Sequence, residues 1–176
     1  MAERDIVLMG DPRLRAVCEP VADPTAPEVA AVVQDLKDTL AHCRATTTYG
    51  RAIAAPQIGE LRRMIFLNVD QPWPLINPQI VLRSPEDMVV WDACLSFLSI
   101  FYQVTRSRWV QVRYQDLTGA WHEVKAEGDL AELLQHEIDH LDGILAVDRM
   151  TDVRSMCTRE EFEKRYRGDS PYATQA

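Results

Sequence analysis

From Leu130 to Leu141 the apolar residues Leu130, Leu133, Leu134, Ile138 and Leu141 recur at helical spacing, and through that stripe runs Gln135-His136-Glu137-Ile138-Asp139-His140. A stripe of this period lies on a core. Two unpartnered imidazoles beside a carboxylate are costly to bury there. The fold therefore has to be built round a helix that turns ionisable groups inward. Asp129 reads as its N-cap, with Glu132 completing a capping box. Gly143 is placed to take the left-handed conformation that ends it.

The run contains HExxH. Positions i and i+4 share one helix face, so His136 and His140 can reach one ion. Glu137 is turned by about 100° from His136, near enough to serve a water activated by that ion without itself ligating. Two neutral nitrogens hold the metal, and the adjacent carboxylate takes a proton and later delivers it. A third ligand is required. Both other histidines, His42 and His122, lie upstream, which removes the pattern with a third downstream His. Glu160, downstream, and Cys94, upstream in Trp91-Asp-Ala-Cys-Leu-Ser96, are both candidates on spacing.

The remaining sequence predicts an α+β single domain with a long N-terminal helix, antiparallel strands and this central metal-binding helix. Val29, Val32, Val33, Leu36 and Leu40 predict a helix over about 26–44, entered through a Thr25–Glu28 capping box. Apolar runs at 64–69, 75–82 and 88–91 read as strands, and 108–115 with 121–125 as a hairpin around Asp116-Leu-Thr-Gly119. Residues 51–57 match neither period. With 27 acidic and 19 basic side chains, a formal charge of −8, the chain lacks the basic face of a nucleic-acid binder. No apolar run is long enough to span a bilayer. The mixed-charge start Met1-Ala-Glu-Arg-Asp5 is unlike a secretory signal, so a cytoplasmic protein is expected. Its 4 cysteines, widely spaced, are expected as reduced thiols.

Three segments in order resemble the peptide deformylase family: Gly50-Arg-Ala-Ile-Ala-Ala-Pro-Gln57, Asp92-Ala-Cys-Leu-Ser96 and Gln135-His-Glu-Ile-Asp-His140. The resemblance implies that Cys94, His136 and His140 are the metal ligands, Cys94 displacing Glu160. It makes Glu137 the general base and then acid, and Gln57 with the backbone N–H of Leu95 the oxyanion hole. Gly50, Ala52, Ile53 and Ala93 would lie beside the substrate. The implied reaction is hydrolysis of the N-formyl group of N-formyl-methionyl nascent peptides, releasing formate. The implied ion is Fe²⁺, though a thiolate with two imidazoles suits Zn²⁺ and Ni²⁺ equally. A catalytic domain over 1–150 and a tail over 151–176 are expected. The tail's charged run Arg159–Arg167 reads as a short surface helix, with weak docking on the ribosome as its other reading.

The chain departs from the family pattern close to the substrate. Ala52 stands where the pattern has its second Gly, and Asp92-Ala93 where it has Glu-Gly. Asp92 is expected to pair with Arg106. Phe97-Leu98-Ser99-Ile100-Phe101 is unusually apolar, and reads either as a buried strand edge or as a pocket for a different N-formyl compound. A relative that binds metal without catalysis is the further alternative. Trp73, Trp91, Trp109 and Trp121 read as core or edge packing. For Asp139 the sequence leaves two readings, a partner of the ligands or a solvated helix residue.

Overall fold

In a computed structural model the chain is described over residues 3–169. Helix α1 spans Pro27–Thr47 and is followed by strands β1 (Ala52–Ala54), β2 (Met64–Asn68), β3 (Pro72–Arg83), β4 (Asp87–Asp92), β5 (Ile100–Ser107), β6 (Trp109–Gln115) and β7 (Trp121–Glu127). Helix α2 (Asp129–Leu141), strand β8 (Cys157–Thr158) and helix α3 (Arg159–Arg165) complete it. Residues 170–176, the end of the expected tail, lie outside the described residues.

The strands form an antiparallel sheet in the order β1-β2-β3-β6-β7 and a second in the order β4-β5-β8. Helix α2 lies on the larger sheet, where Ala131, Leu134, Ile138 and Leu141 share a core with Ala54, Ile65, Leu75, Val110 and Val112. Its other side meets the smaller sheet through Gln135, whose amide exchanges hydrogen bonds with the Ser107 backbone at 3.0 and 2.9 Å. Helix α1 covers a second core, with Leu36 and Leu40 against Ile53, Met64 and Phe66. Every residue from Ala131 to Leu141 is consequently buried, the ionisable ones included.

Several boundaries differ from the sequence expectation, each for a local reason. The Thr25 hydroxyl donates to Asp23 Oδ1 at 2.7 Å, so no capping box forms, and Ala26 caps α1 with Pro27 at its first position. The helix runs on to Thr47 because the Thr46 and Thr47 hydroxyls donate back to the carbonyls of His42 and Cys43, at 2.9 and 2.7 Å. At α2 the cap is Gly128 rather than Asp129, and Glu132 makes no box. Strand β3 begins earlier than expected because Pro72 and Pro74 pair only with β2, β6 joining at Ile76. Gly143, at φ 71°, does end α2; a Cβ there would lie 2.5 Å from the Arg15 carbonyl oxygen.

Candidate metal centre

Cys94 leaves the end of β4 and caps the 3-10 turn Leu95–Phe97, which aims its thiol at the inner face of α2. There it meets His136 and His140. The sulfur and one nitrogen of each imidazole all lie within 4.8 Å of one another, and all three residues are buried. Cys94 Sγ is 3.3 Å from His140 Nε2. A sulfur that binds as thiolate and two imidazoles make a donor set suited to a borderline divalent ion. Glu160 is exposed on α3 and is not in this group.

Behind the three ligand candidates stands a buried charge network. Asp92 Oδ1 accepts from His136 Nδ1 at 2.9 Å, leaving Nε2 to face the cluster. The other Asp92 oxygen accepts from Arg106 Nη2 at 3.1 Å, the pairing expected from sequence. Arg106 also binds Asp139, which accepts from Arg149 Nη2 at 2.8 Å. Asp139 is thus a buried partner in the network rather than a solvated residue. Burial pushes the Asp92 carboxyl up, but His136 and Arg106 outweigh it and hold the group well below the usual carboxylate range. Burial works against protonation of His136 as well, and there the Asp92 charge prevails and raises it well above an ordinary histidine. His140 has no such partner; burial and the neighbouring His136 push it well below.

An open cleft of about 770 Å³ leads to this cluster, its wall including Gly50, Ala52, Gln57, Ala93, Leu95 and Glu137. Ile53 is not among them. Successive strand residues face opposite ways, so Ile53 turns into the core under α1 and is fully buried. Gly50 needs its freedom: it sits at φ 123°, and a Cβ would come 3.0 Å from Leu40 Cδ1. Gln57 Oε1 accepts from Ala54 N at 2.9 Å, which turns its amide nitrogen to Cys94 Sγ at 3.4 Å and Ser96 Oγ at 3.3 Å. Glu137 is 3% exposed and its Oε2 has no hydrogen-bond partner. Burial pushes this carboxyl up to about 7.

The spacing reads Glu132 as part of a helix cap; in the structure it is a buried partner of Arg51 in the cleft wall, at 2.7 Å. The Asp92–His136 bond also escaped it. The signal for both was present as charged residues inside apolar segments, but the pairing depends on the fold. Phe97 and Phe101 are buried, Phe97 beside Tyr102 and Phe101 against Phe162 of α3, while Leu98 reaches the cleft wall.

The polypeptide deformylase family profile matches residues 3–156. A peptide deformylase of Rhodopseudomonas palustris strain BisB5 is 36% identical over 172 residues, covering 93% of this chain and 95% of that protein. This chain belongs to the peptide deformylase family. Another family member, from Thermotoga neapolitana, is 36% identical over 85% of this chain and 93% of its own length. The crystal structure of the Thermotoga maritima peptide deformylase superposes with a TM-score of 0.80 at 33% identity, covering 86% of this chain and all (100%) of that one. The Ehrlichia chaffeensis peptide deformylase, solved with actinonin, gives 0.80 at 30% identity over 88% of this chain and 92% of that one. The shared fold is the α+β arrangement described above, and the chain is an enzyme of the peptide deformylase type. Among the described residues no helix is long and apolar enough to cross a membrane.

Proposed function

We propose that this enzyme removes the N-formyl group from N-formyl-methionyl ends of newly made chains in the cytoplasm, at the centre formed by Cys94, His136 and His140. The observation that carries the reading is the buried Cys94, His136 and His140 cluster, with Glu137, whose buried Oε2 has no hydrogen-bond partner, lining the same cleft as His136. Cys94, His136 and His140 would hold a divalent ion, Fe²⁺ in our reading, which when bound would supply Lewis acidity and lower the pKa of water. Glu137 takes the proton of the attacking water and returns it to the departing nitrogen, so that the C–N bond breaks to formate and a free amine. The Gln57 amide and the Leu95 backbone N–H donate to the oxygen that gains charge. Asp92 fixes the His136 tautomer. Gly50, Ala52 and Ala93 bound the space beside the substrate. The recessed centre favours formyl, the smallest acyl group. Any weak contact with the ribosome falls on the exposed Glu163, Lys164 and Arg165 of α3.

Formate release from formyl-Met-Ala-Ser by protein purified without air and reloaded with Fe²⁺ or Ni²⁺ tests this. Turnover is expected, with a loss of roughly 10²- to 10⁴-fold or more in Glu137→Gln at unchanged metal content. No turnover with the ion bound would overturn the formyl-methionyl substrate and favour another N-formyl compound. That second reading is supported by the charged pair in the cleft wall.

A further inference from the structure

Strand β7 ends the larger sheet, and none of its residues lines the cleft. At 7 residues it is longer than the other strands at sheet edges, β1 with 3, β4 with 6 and β8 with 2. Hydrogen bonds from Asp116 N to the Ala120 carbonyl and from Gly128 N to the Arg108 carbonyl, both 3.0 Å, bracket its pairing with β6. Bonded and non-bonded pairs alternate along an antiparallel ladder. His122, Val124 and Ala126 therefore turn their backbone groups to β6. Trp121, Glu123, Lys125 and Glu127 turn theirs outward, a row of donors and acceptors with no strand beyond it.

An edge of this kind is a template for another strand unless a proline, a bulge or opposed charge prevents pairing. Strand β7 contains no Pro and pairs with β6 without a register shift. Charge is then what selects its partner. Trp121, Glu123, Lys125 and Glu127 also present their side chains to solvent, and all four are exposed. Glu123 meets a neutral amide, Gln111 Nε2 at 2.7 Å, and Lys125 lies 4.6 Å over the Trp109 ring. Among the described residues neither has an ion-pair partner.

A second copy related by a two-fold axis runs antiparallel to β7, and its outward residues meet outward residues. Centred on Glu123, such a pairing sets two glutamates face to face. Centred on Lys125, it opposes two lysines, and Glu123 to Glu127. Like charges directly opposite destabilise a sheet. Centring on His122 or Ala126 shortens the overlap. Centred on Val124, the strands overlap fully: Glu123 of each copy faces Lys125 of the other, and Trp121 faces Glu127.

We propose that the protein pairs with a second copy of itself through β7, antiparallel and centred on Val124, joining the two 5-stranded sheets into one. Backbone hydrogen bonds from the outward residues hold the pair, and the two Glu123–Lys125 contacts fix its register.

The test is sedimentation equilibrium of the metal-loaded full chain from about 1 to about 200 µM, the range in which so small an interface assembles. The mass is expected to rise from 20.1 kDa toward twice that value. Lys125→Glu and Glu123→Lys each set like charges opposite one another, and each should weaken the dimer about 10-fold or more. The double reversal, Glu123→Lys with Lys125→Glu, should restore it. Amide exchange of Glu123 and Lys125 in the wild type should slow with concentration, a readout that stands if a reversed variant does not fold. A wild type that stays at 20.1 kDa throughout the range overturns the proposal. A dimer indifferent to both single reversals, or one whose Glu123 and Lys125 amides exchange as fast as in the monomer, also overturns it, because its interface then lies elsewhere.

Discussion

Asp92 holds a ring nitrogen of His136 with one oxygen and Arg106 with the other, so a single buried carboxylate joins the candidate ligands to the charge network behind them. Asp92→Asn removes the charge that fixes the imidazole and leaves one acceptor oxygen where His136 and Arg106 each have their own. Metal affinity is expected to fall about 10- to 100-fold, read by chelator competition, with the shape of the cleft kept. Glu137 gives a second expectation, for the metal-free protein. Its carboxyl is pushed by burial from 4.5 up to about 7. The folded chain therefore holds a proton that the unfolded chain has released between those values. The resulting stability is present below 4.5 and lost as pH rises through about 7, on the order of 3 kcal/mol in all. Urea unfolding of metal-free protein at pH 5 and pH 8, compared with Glu137→Gln, isolates it. A wild type and a variant with parallel pH profiles would contradict the assignment.

Among the elements, α3 is short, and Phe162 is its one buried side chain. Phe162 is fully buried, stacking on Phe101 at 4.1 Å and meeting Trp91 edge-on at 5.3 Å. Phe162→Ala should cost about 3 kcal/mol in urea unfolding and expose the α3 segment to proteolysis before the rest of the chain. This docking explains Phe101, whose ring seats α3, while Phe97 and Ile100 pack into the core with Tyr102, and Leu98 lines the cleft, a division that sequence could suggest only as a buried edge. Legibility elsewhere followed the range of the interaction. Helix α2 was readable because its period and Gly143 act within a few residues. Strand β1 was not, since Ala52, Ile53 and Ala54 are all buried and show no alternation. Glu132 was misread because the spacing of a capping box is also that of a buried acid whose partner, Arg51, lies far away in sequence. The cysteine and two histidines stood out by residue type, whereas the Asp92–His136 bond needed the end of β4 laid beside α2.

The whole molecule encloses several ionisable groups at one centre, and a bound cation should stabilise it as a unit. An ion present at about 1,000 times its Kd adds about 4 kcal/mol to unfolding. Calorimetry with and without chelator is expected to show a large drop in Tm for the wild type and for Glu137→Gln. Cys94→Ala, lacking one ligand candidate, should show little. Equal drops in all three would move the ion elsewhere. The central position of α2 also bears on how the chain is made. Every strand of the larger sheet precedes it in sequence, so a growing chain has spelled out that sheet before the helix that covers its inner face exists. Until Leu141 is available, Ile65, Leu75, Val110 and Val112 lack the contacts that bury them. Nascent chains of this protein are therefore most prone to aggregation during a late window of synthesis, when a pause ahead of Asp129 would prolong their dependence on chaperones.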